Sequence, residues 1–194
     1  MVRHPPRAGR ALTGLATPEQ PRAAGAAPFI VTAELPRDIL AWADGLRRAH
    51  FPPERNQLQA HVTLFHAFAP SLQGELGPLL SRLAAEFAPP PARISGLMNL
   101  GRGTAIALES PAMLAVRERI ADHFHGALTS QDAHPPRLHI TIQNKVLPEE
   151  AKTLQRALAG TLVERSFKFA GLGLHRYLGG PWEAVGTWKF RGKE

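Results

Sequence analysis

The chain has 194 residues, of which 44% are apolar, so it can bury one sizeable hydrophobic core. It contains no cysteine. That excludes disulfides, thiol redox chemistry and cysteine-based zinc sites, and it fits the reducing cytoplasm in which we expect the protein. The formal net charge of +7 favours polyanionic partners such as RNA or nucleotides over acidic proteins or cationic ligands.

The first segment, residues 1–27, is rich in Ala, Pro, Gly and Arg and shows no apolar periodicity. This composition predicts a flexible leader rather than a folded element. The apolar run of a secretory signal is absent there, since Thr13 and Gly14 break it. No stretch of about 18 unbroken apolar residues occurs, so we expect no membrane span. Residues 28–194 are predicted to form one domain.

The first folded elements alternate strands and helices. The apolar periodicity predicts a strand at 29–34, a helix opened by Pro36, a strand at 61–70, a second helix, and a strand at 92–100. A proline inside a helix removes a hydrogen bond and clashes with the preceding turn. We therefore expect the second helix to begin nearer Gly77 than Ser71, because Gly77-Pro78 should interrupt it.

The same order of elements returns in the second half of the chain. Ser110-Pro111 has the residue types of an N-cap and a first helical position, and Glu149 and Glu150 suit the first turn of another helix. The predicted elements are a strand at 104–109, a helix from Pro111, a strand at 139–147, a helix after Pro148, and strands at 166–177 and 182–190.

This internal duplication predicts the fold. Two units of strand, helix, strand, helix and strand indicate an α+β protein with two pseudo-twofold-related αβ lobes, two antiparallel sheets facing a central cleft, and helices outside. The strand order stays open, because Gly103–Glu109 can close the first unit or open the second.

The two units share a short motif. His61-Val-Thr-Leu and His139-Ile-Thr-Ile each read His, apolar, Thr, apolar, and a proline follows each at the same distance. Side chains alternate faces along a strand, so each His projects with its Thr while the aliphatic residues point into a core. Two imidazoles, each beside a hydroxyl, can hold a bound group and move protons onto and off it. Neither copy has a neighbouring carboxylate or thiolate, which argues against a zinc site.

These motifs, together with the element order over about 29–190, resemble the two-histidine phosphoesterase superfamily, which includes 2′,5′ RNA ligase-like proteins and RNA 2′,3′-cyclic phosphodiesterases. The resemblance implies phosphodiester chemistry without a metal or cofactor, on 2′,3′-cyclic ends or 2′,5′ links of RNA or nucleotides. It implies that His61 and His139 are catalytic, and that Thr63 and Thr141 donate hydrogen bonds to the phosphate. The expected product of ring opening is a 2′-phosphate.

The leading hypothesis is therefore a cyclic phosphodiesterase, with reversible 2′,5′ RNA ligation as a side activity and a monomer as the working form. One alternative is a non-catalytic protein that binds RNA ends or nucleotides. Another is a zinc enzyme, which a chelator would inactivate. Which histidine is the base and which the acid stays open, because it depends on the partner that each ring finds.

Four further residues are candidate substrate contacts. Gln143 and Lys145 continue the face of the second motif, where Lys145 either attracts phosphate or is simply solvated. Phe65 continues the face of the first motif, where it either stacks on a base or packs in the core. Tyr177, before a Gly-Gly turn, either stacks on a base or is buried. His66 falls on the opposite, core-facing side of the first motif strand, where we expect a hydrogen-bonded, partly buried ring.

Overall fold

The structure is a computed structural model that describes residues 27–193. The predicted leader lies outside the described residues except for Ala27, whose side chain is buried. The helices are α1 (Arg37–His50), α2 (Gln73–Glu86), α3 (Pro111–His123) and α4 (Pro148–Ala159). The strands are β1 (Phe29–Glu34), β2 (Val62–Phe68), β3 (Pro91–Asn99), β4 (Gly103–Glu109), β5 (His139–Asn144), β6 (Ser166–Lys168), β7 (Gly171–Tyr177) and β8 (Trp182–Lys189).

The strands form two antiparallel four-stranded sheets, which confirms the predicted α+β class. Sheet A has the order β2-β1-β7-β8 and sheet B the order β5-β4-β3-β6. In each sheet the motif strand is at an edge, beside the first strand of its own repeat, and the third position is filled by a strand of the other repeat. Strand β4 therefore opens the second repeat, as β1 opens the first.

Local sequence signals set most element ends. Helix α1 starts after Pro36, which occupies the N-cap position, where no helical hydrogen bond requires the N–H that proline lacks. Helix α3 starts as predicted, since the Ser110 hydroxyl accepts a hydrogen bond from the Met113 amide at 3.1 Å. The predicted strand at 166–177 is divided between the sheets, because Phe169 and Ala170 carry the chain from β6 in sheet B to β7 in sheet A.

The predicted interruption of α2 was wrong, because the helix runs unbroken through Pro78. Two local features make this possible. Gly77 has no Cβ to clash with the proline ring, which removes the usual restriction on the residue before a proline. Pro78 is also exposed, so water can bond the Gly74 carbonyl that loses its partner.

Both motif strands carry a β-bulge at the same place. In sheet A, Thr32 pairs with Thr63 while the adjacent Val31 pairs with Phe65. In sheet B, Ala105 pairs with Thr141 while the adjacent Thr104 pairs with Gln143. One extra residue therefore follows each motif threonine, and beyond it the alternation of faces changes phase.

The bulges overturn three expectations about side-chain direction. Phe65 is 0% exposed and lies under the Arg117 guanidinium at 4.5 Å, so it packs in the core and not on a substrate base. Gln143 is 7% exposed and faces the Thr104 hydroxyl at 3.4 Å, so it does not continue the face of Thr141. His66, expected on the core side, has a 44% exposed side chain, although its ring is hydrogen-bonded, as expected, to Asp132.

One hydrophobic core joins the two sheets and the helices. The apolar faces of α1 and α3 include Ile39, Ala43, Met113 and Ile120, all buried. Phe68 of β2 contacts Phe124, which follows α3, at a ring-centroid distance of 4.9 Å, so the first motif strand packs on the second repeat. Among residues 27–193, the helices are all too short or too polar to cross a membrane.

Candidate active site

The two motif strands come together at the cleft between the sheets. Cα atoms of β2 and β5 lie within 8 Å of each other. Helix α1, which belongs to the first repeat, packs against β5 of the second. His61 and Thr141, one from each motif, line the same cavity of about 450 Å³, which we call the central cavity. The cleft therefore combines chemical groups from both halves of the duplicated chain.

Both motif histidines are fixed in the same way. Nδ1 of His61 lies 2.8 Å from the Gln59 carbonyl, and Nδ1 of His139 lies 2.7 Å from the Arg137 carbonyl. A carbonyl oxygen can only accept, so Nδ1 carries the proton in both rings. The second nitrogen, Nε2, is therefore the one available for proton transfer in each case.

His61 lies beside Trp182 in a half-buried position. Their ring centroids are 4.5 Å apart. Burial, and to a smaller extent the charges of Arg47, His175 and His139, lowers the pKa of His61 to about 4, against the opposing effect of its bond to the Gln59 carbonyl. His61 is thus neutral near pH 7. Its sensitivity to the charge of His139 places the two motif rings within electrostatic reach of each other.

Both motif threonines are half-buried, and a buried arginine secures the second of them. Arg47 of α1 is 3% exposed. It donates to the Thr141 carbonyl at 2.7 Å and to Asn56 Oδ1 at 2.9 Å. Its guanidinium also lies over the ring of Phe51 at 4.4 Å. Arg47 therefore ties the loop that leads to His61 directly to the second motif strand.

Arg117 of α3 makes the corresponding link in the other direction. It donates to the carbonyls of Asp132 and His134, in the loop that leads to His139, and it covers Phe65 of the first motif strand. Each repeat thus contributes one buried arginine that connects its own loop to the other repeat's motif strand. This reciprocal bracing fixes the relative position of the two motifs.

A buried carboxylate secures β2 at a second register shift, between Phe65 and Phe68. Asp132 accepts hydrogen bonds from the amides of His66 and Ala67, at 2.9 and 3.0 Å, and faces His66 Nδ1 at 3.0 Å. Burial alone would raise the pKa of Asp132, but these bonds outweigh it and hold the pKa below its usual value. Asp132 is therefore ionised near neutral pH and anchors the second-repeat loop to the first motif strand.

Two of the four further candidates line the central cavity. Lys145 is exposed and adopts a left-handed backbone conformation, with a φ of 60°. Tyr177, at the end of β7, is half-buried. Both line the cavity with Arg47, Arg55 and one carboxylate, Glu54, so this side of the cleft has a net positive lining. Phe65 and Gln143 lie outside it.

A second cavity of about 290 Å³, which we call the side cavity, adjoins His61 and Trp182. Its polar lining comes from Thr32, Glu34 and His175. The Thr32 hydroxyl donates to Glu34 Oε1 at 2.8 Å and lies 3.0 Å from His175 Nε2. Burial opposes ionisation of Glu34, yet His175, whose Nε2 lies 3.9 Å from Oε1, the hydrogen bond from Thr32 and the charge of His61 lower its pKa overall.

Sequence reasoning missed Arg47, Glu34, His175 and Trp182 as residues of the cleft. One signal was present: Thr32 and Glu34 are polar at alternate positions of a strand whose other residues are buried and apolar. The chemistry available in the cleft is acid–base chemistry at two Nε2 atoms, with hydroxyl donors and cationic groups for an anion. Residues 27–193 contain no cluster of three or more His, Asp or Glu side chains arranged to hold a metal ion.

Comparisons with known proteins agree with this architecture. A family model described as the 2′-5′ RNA ligase superfamily matches residues 35–181. No curated protein sequence matches the chain. Among solved structures, TT0787 of Thermus thermophilus is 17% identical, with a TM-score of 0.61, 86% of this chain and 100% of that chain covered.

Two structures of E. coli LigT are also similar. The complex with 3′-AMP is 17% identical with a TM-score of 0.54, covering 85% of this chain and 98% of that chain. The complex with NADP⁺ is 15% identical with a TM-score of 0.55, covering 86% of this chain and 99% of that chain. At these identities the likeness establishes a shared fold.

Proposed function

The chain belongs to the 2′-5′ RNA ligase superfamily, and on that premise we propose that it is a metal-independent phosphodiesterase that opens 2′,3′-cyclic phosphates of RNA ends or nucleotides. The superfamily supports phosphodiesterase or RNA ligase chemistry in general. The cyclic substrate is our own inference. The observation that carries it is the pair of motif histidines, each with Nδ1 bound to a carbonyl and Nε2 left for chemistry.

The proposal assigns the two proton transfers to different rings. His61, whose pKa is about 4, is neutral near pH 7 and accepts the proton of an attacking water at Nε2. The water oxygen bonds to phosphorus as the bond to the ribose 3′ oxygen breaks. His139 acts in its doubly protonated form and gives that departing oxygen its Nε2 proton, which leaves a 2′-phosphate. Each transfer of this kind is typically worth about 10² to 10⁴ in rate.

The motif threonines supply the electrostatic part of the proposed reaction. Thr63 and Thr141 stand one on each motif strand, before the bulge, on the same strand face as their histidine. Their hydroxyls would donate to the non-bridging oxygens, where charge grows in the transition state. Run in the same direction with a ribose 5′-hydroxyl in place of water, the same steps would form a 2′,5′ link and release the 3′-hydroxyl, which is the proposed ligase side activity.

The lining of the central cavity supports a nucleotide or RNA-end substrate. Arg47, Arg55 and Lys145 supply positive charge, while Tyr177 and Trp182 supply aromatic faces on which bases can stack. E. coli LigT, which shares the fold, was solved with 3′-AMP and with NADP⁺. We extend nucleotide binding to this protein on that basis, and we expect it to act in the cytoplasm as a monomer.

The test offers purified protein the four 2′,3′-cyclic nucleotides and a cyclic-ended RNA, with and without EDTA. We expect turnover that survives the chelator and yields nucleoside 2′-phosphates, identified by ³¹P NMR. Tight binding without turnover would instead support the non-catalytic alternative. Turnover abolished by EDTA and restored by zinc would support a metalloenzyme, and a 3′-phosphate product would show that the leaving oxygen is misassigned.

A further inference from the structure

The two halves of the cleft differ most in the strand residues that flank the motifs. In sheet A the row across the strands is Thr63, Thr32, Gly173, and in sheet B the matching row is Thr141, Ala105, Met98. Sheet B thus has the apolar residues Ala105 and Met98 where sheet A has Thr32 and Gly173. By the same register, Ala107, which pairs with His139, corresponds to Glu34, and Leu100 corresponds to His175.

Gly173 makes room for the polar cluster of the side cavity. A Cβ atom at this position would clash with Glu34 Oε1, and it would lie 2.5 Å from Thr32 Oγ1 and 2.9 Å from His175 Nε2. The three polar side chains therefore occupy the space that a larger residue on β7 would fill. The cluster needs a strand position without a side chain. We infer from this that the cluster has a role beyond packing.

An ionised carboxylate beside a phosphate-binding cleft needs an explanation. Glu34 lines the side cavity next to His61, and its lowered pKa keeps it charged near neutral pH. Its negative charge repels a bound phosphate, and a half-buried charge also loses part of its hydration. A ligand group that donates hydrogen bonds to Glu34 would offset both costs. The Thr32 bond uses one acceptor position on Oε1, and a carboxylate offers about four.

The side cavity has the shape and place of a base pocket. It meets the central cavity at His61 and Trp182, which line both. The central cavity has three cationic side chains against one carboxylate, Glu54, which suits a phosphate chain, whereas the side cavity has the Glu34 carboxylate and no Lys or Arg. Its volume of about 290 Å³ is near the lower end of known ligand pockets. A single uncharged ring system therefore suits it better than a phosphorylated chain.

We propose that the side cavity holds the nucleobase next to the reacting phosphate, with Trp182 as its stacking surface and Glu34 as the group that selects guanine. This inference rests on the proposed function. Guanine presents two adjacent donors, N1–H and the 2-amino group, which match the two oxygens of a carboxylate. Adenine and cytosine present one amino donor beside an acceptor, and uracil flanks its single N–H with two carbonyls that the carboxylate repels.

The test measures base preference in binding and in turnover separately. Wild-type protein is titrated with guanosine, adenosine, cytidine and uridine 2′-phosphates by tryptophan fluorescence, and kcat/KM is measured on the four 2′,3′-cyclic nucleotides. We expect guanosine to be favoured over uridine roughly tenfold or more in both, since hydrogen bonds to a charged group are worth more than neutral ones. Glu34→Gln should reduce the preference to about threefold or less.

The matched control is Glu109→Gln. Glu109 ends β4 as Glu34 ends β1, but it pairs with Arg93 at 2.5 Å and lines neither cavity. This variant should keep the guanosine preference. A Gly173→Ala variant should lose it, because the added methyl group displaces the cluster.

The outcomes separate this inference from the proposed function. Guanosine-selective binding without turnover would support the base pocket and contradict the proposed phosphodiesterase activity. Turnover of all four cyclic nucleotides at similar kcat/KM would support the phosphodiesterase activity and contradict the guanine-selective pocket. An equal loss on all four substrates in Glu34→Gln would show that Glu34 only positions His175, and would also overturn the guanine assignment.

Discussion

The two motif halves have the same backbone and different surroundings. Each histidine donates from Nδ1 to the carbonyl two residues earlier, and each motif threonine precedes a β-bulge. Yet His61 lies beside Trp182 near Glu34 and His175, while His139 pairs with Ala107. The duplication thus supplies a symmetric pair of Nε2 atoms, and divergence around them gives the two rings different electrostatic environments. We propose that the different proton-transfer roles of the two rings follow from that difference.

The largest expected effect comes from removing either ring. His61→Ala and His139→Ala should each lower kcat on a 2′,3′-cyclic nucleotide by about 10² to 10⁴, the usual worth of acid–base catalysis. Circular dichroism and thermal unfolding should show that both variants fold. His125→Ala, at an exposed position after α3, serves as the control and should keep full activity. A histidine that proves dispensable would break the paired mechanism.

The threonines should matter somewhat less than the rings. Thr63→Val and Thr141→Val remove one hydroxyl each at nearly constant shape, and loss of one transition-state donor typically costs about 10² to 10³ in kcat. Thr63→Ser and Thr141→Ser keep the hydroxyl and should retain most activity. Steady-state kinetics on a cyclic nucleotide checks this. If the valine variants raised KM with kcat unchanged, the hydroxyls would bind the ground state only.

The carboxylates that hold the two loops before the motifs should contribute unequally to the free energy of unfolding. Asp132→Asn replaces a 3% exposed carboxylate that accepts two amide hydrogens, and should lower the free energy of unfolding by about 1–3 kcal/mol at pH 7. Asp44→Asn, which affects one bond to the Ala60 amide in the first repeat, should cost less. Urea denaturation measures both. A larger cost for Asp44→Asn would contradict the assigned anchoring.

The Asp132 effect should also depend on pH in a defined direction. Its pKa is lower in the folded protein than in the unfolded chain, so its contribution is present above the unfolded value and is lost as the pH falls through the folded pKa. The stability difference between wild type and Asp132→Asn should therefore shrink on acidification. A difference that stays constant down to strongly acidic pH would show that the carboxylate charge does not stabilise the fold.

The smallest expected effect is a shift in one titration. Trp182→Leu should admit water to His61 and raise its pKa from about 4 toward the ordinary value of about 6.5, which NMR titration of the imidazole protons can measure. The acidic limb of the pH profile of kcat/KM should move upward with it. Trp188→Leu on the same strand is the control. An unchanged pKa of His61 in Trp182→Leu would show that burial by Trp182 is not what lowers it.

Most of the fold could be predicted from local patterns. The periodicity around Pro36, Ser110 and Pro148 gave the helix starts because caps and prolines act within one turn. The strand order could not be derived, since pairing of β3 with β4 and of β1 with β7 is decided by contacts between repeats. The smooth passage of α2 through Pro78 depends on the exposure of that residue, which a sequence does not state.

The parts of the site that lie within one sequence motif could be predicted. The parts that come from several separate strands could not. Both His-x-Thr motifs lie on strands that meet at the cleft, as expected from the pseudo-twofold duplication. The directions of Phe65 and Gln143 were wrong because a bulge shifts the phase by one residue, and no residue type in either motif announces it. Glu34, His175 and Trp182 come from three different strands, so only the sheet order brings them to His61.

The most direct test of the central claim compares two leaving groups in the two histidine variants. A deoxynucleoside 3′-(4-nitrophenyl) phosphodiester releases a phenolate that needs no proton, whereas a 2′,3′-cyclic phosphate releases a ribose oxygen that does. If His61 is the base and His139 the acid, His139→Ala should recover most of its lost turnover on the nitrophenyl ester, and His61→Ala should stay about 10² or more below wild type on both substrates. Recovery in His61→Ala instead, or equal losses in both variants on both substrates, would contradict the division of roles between the two halves.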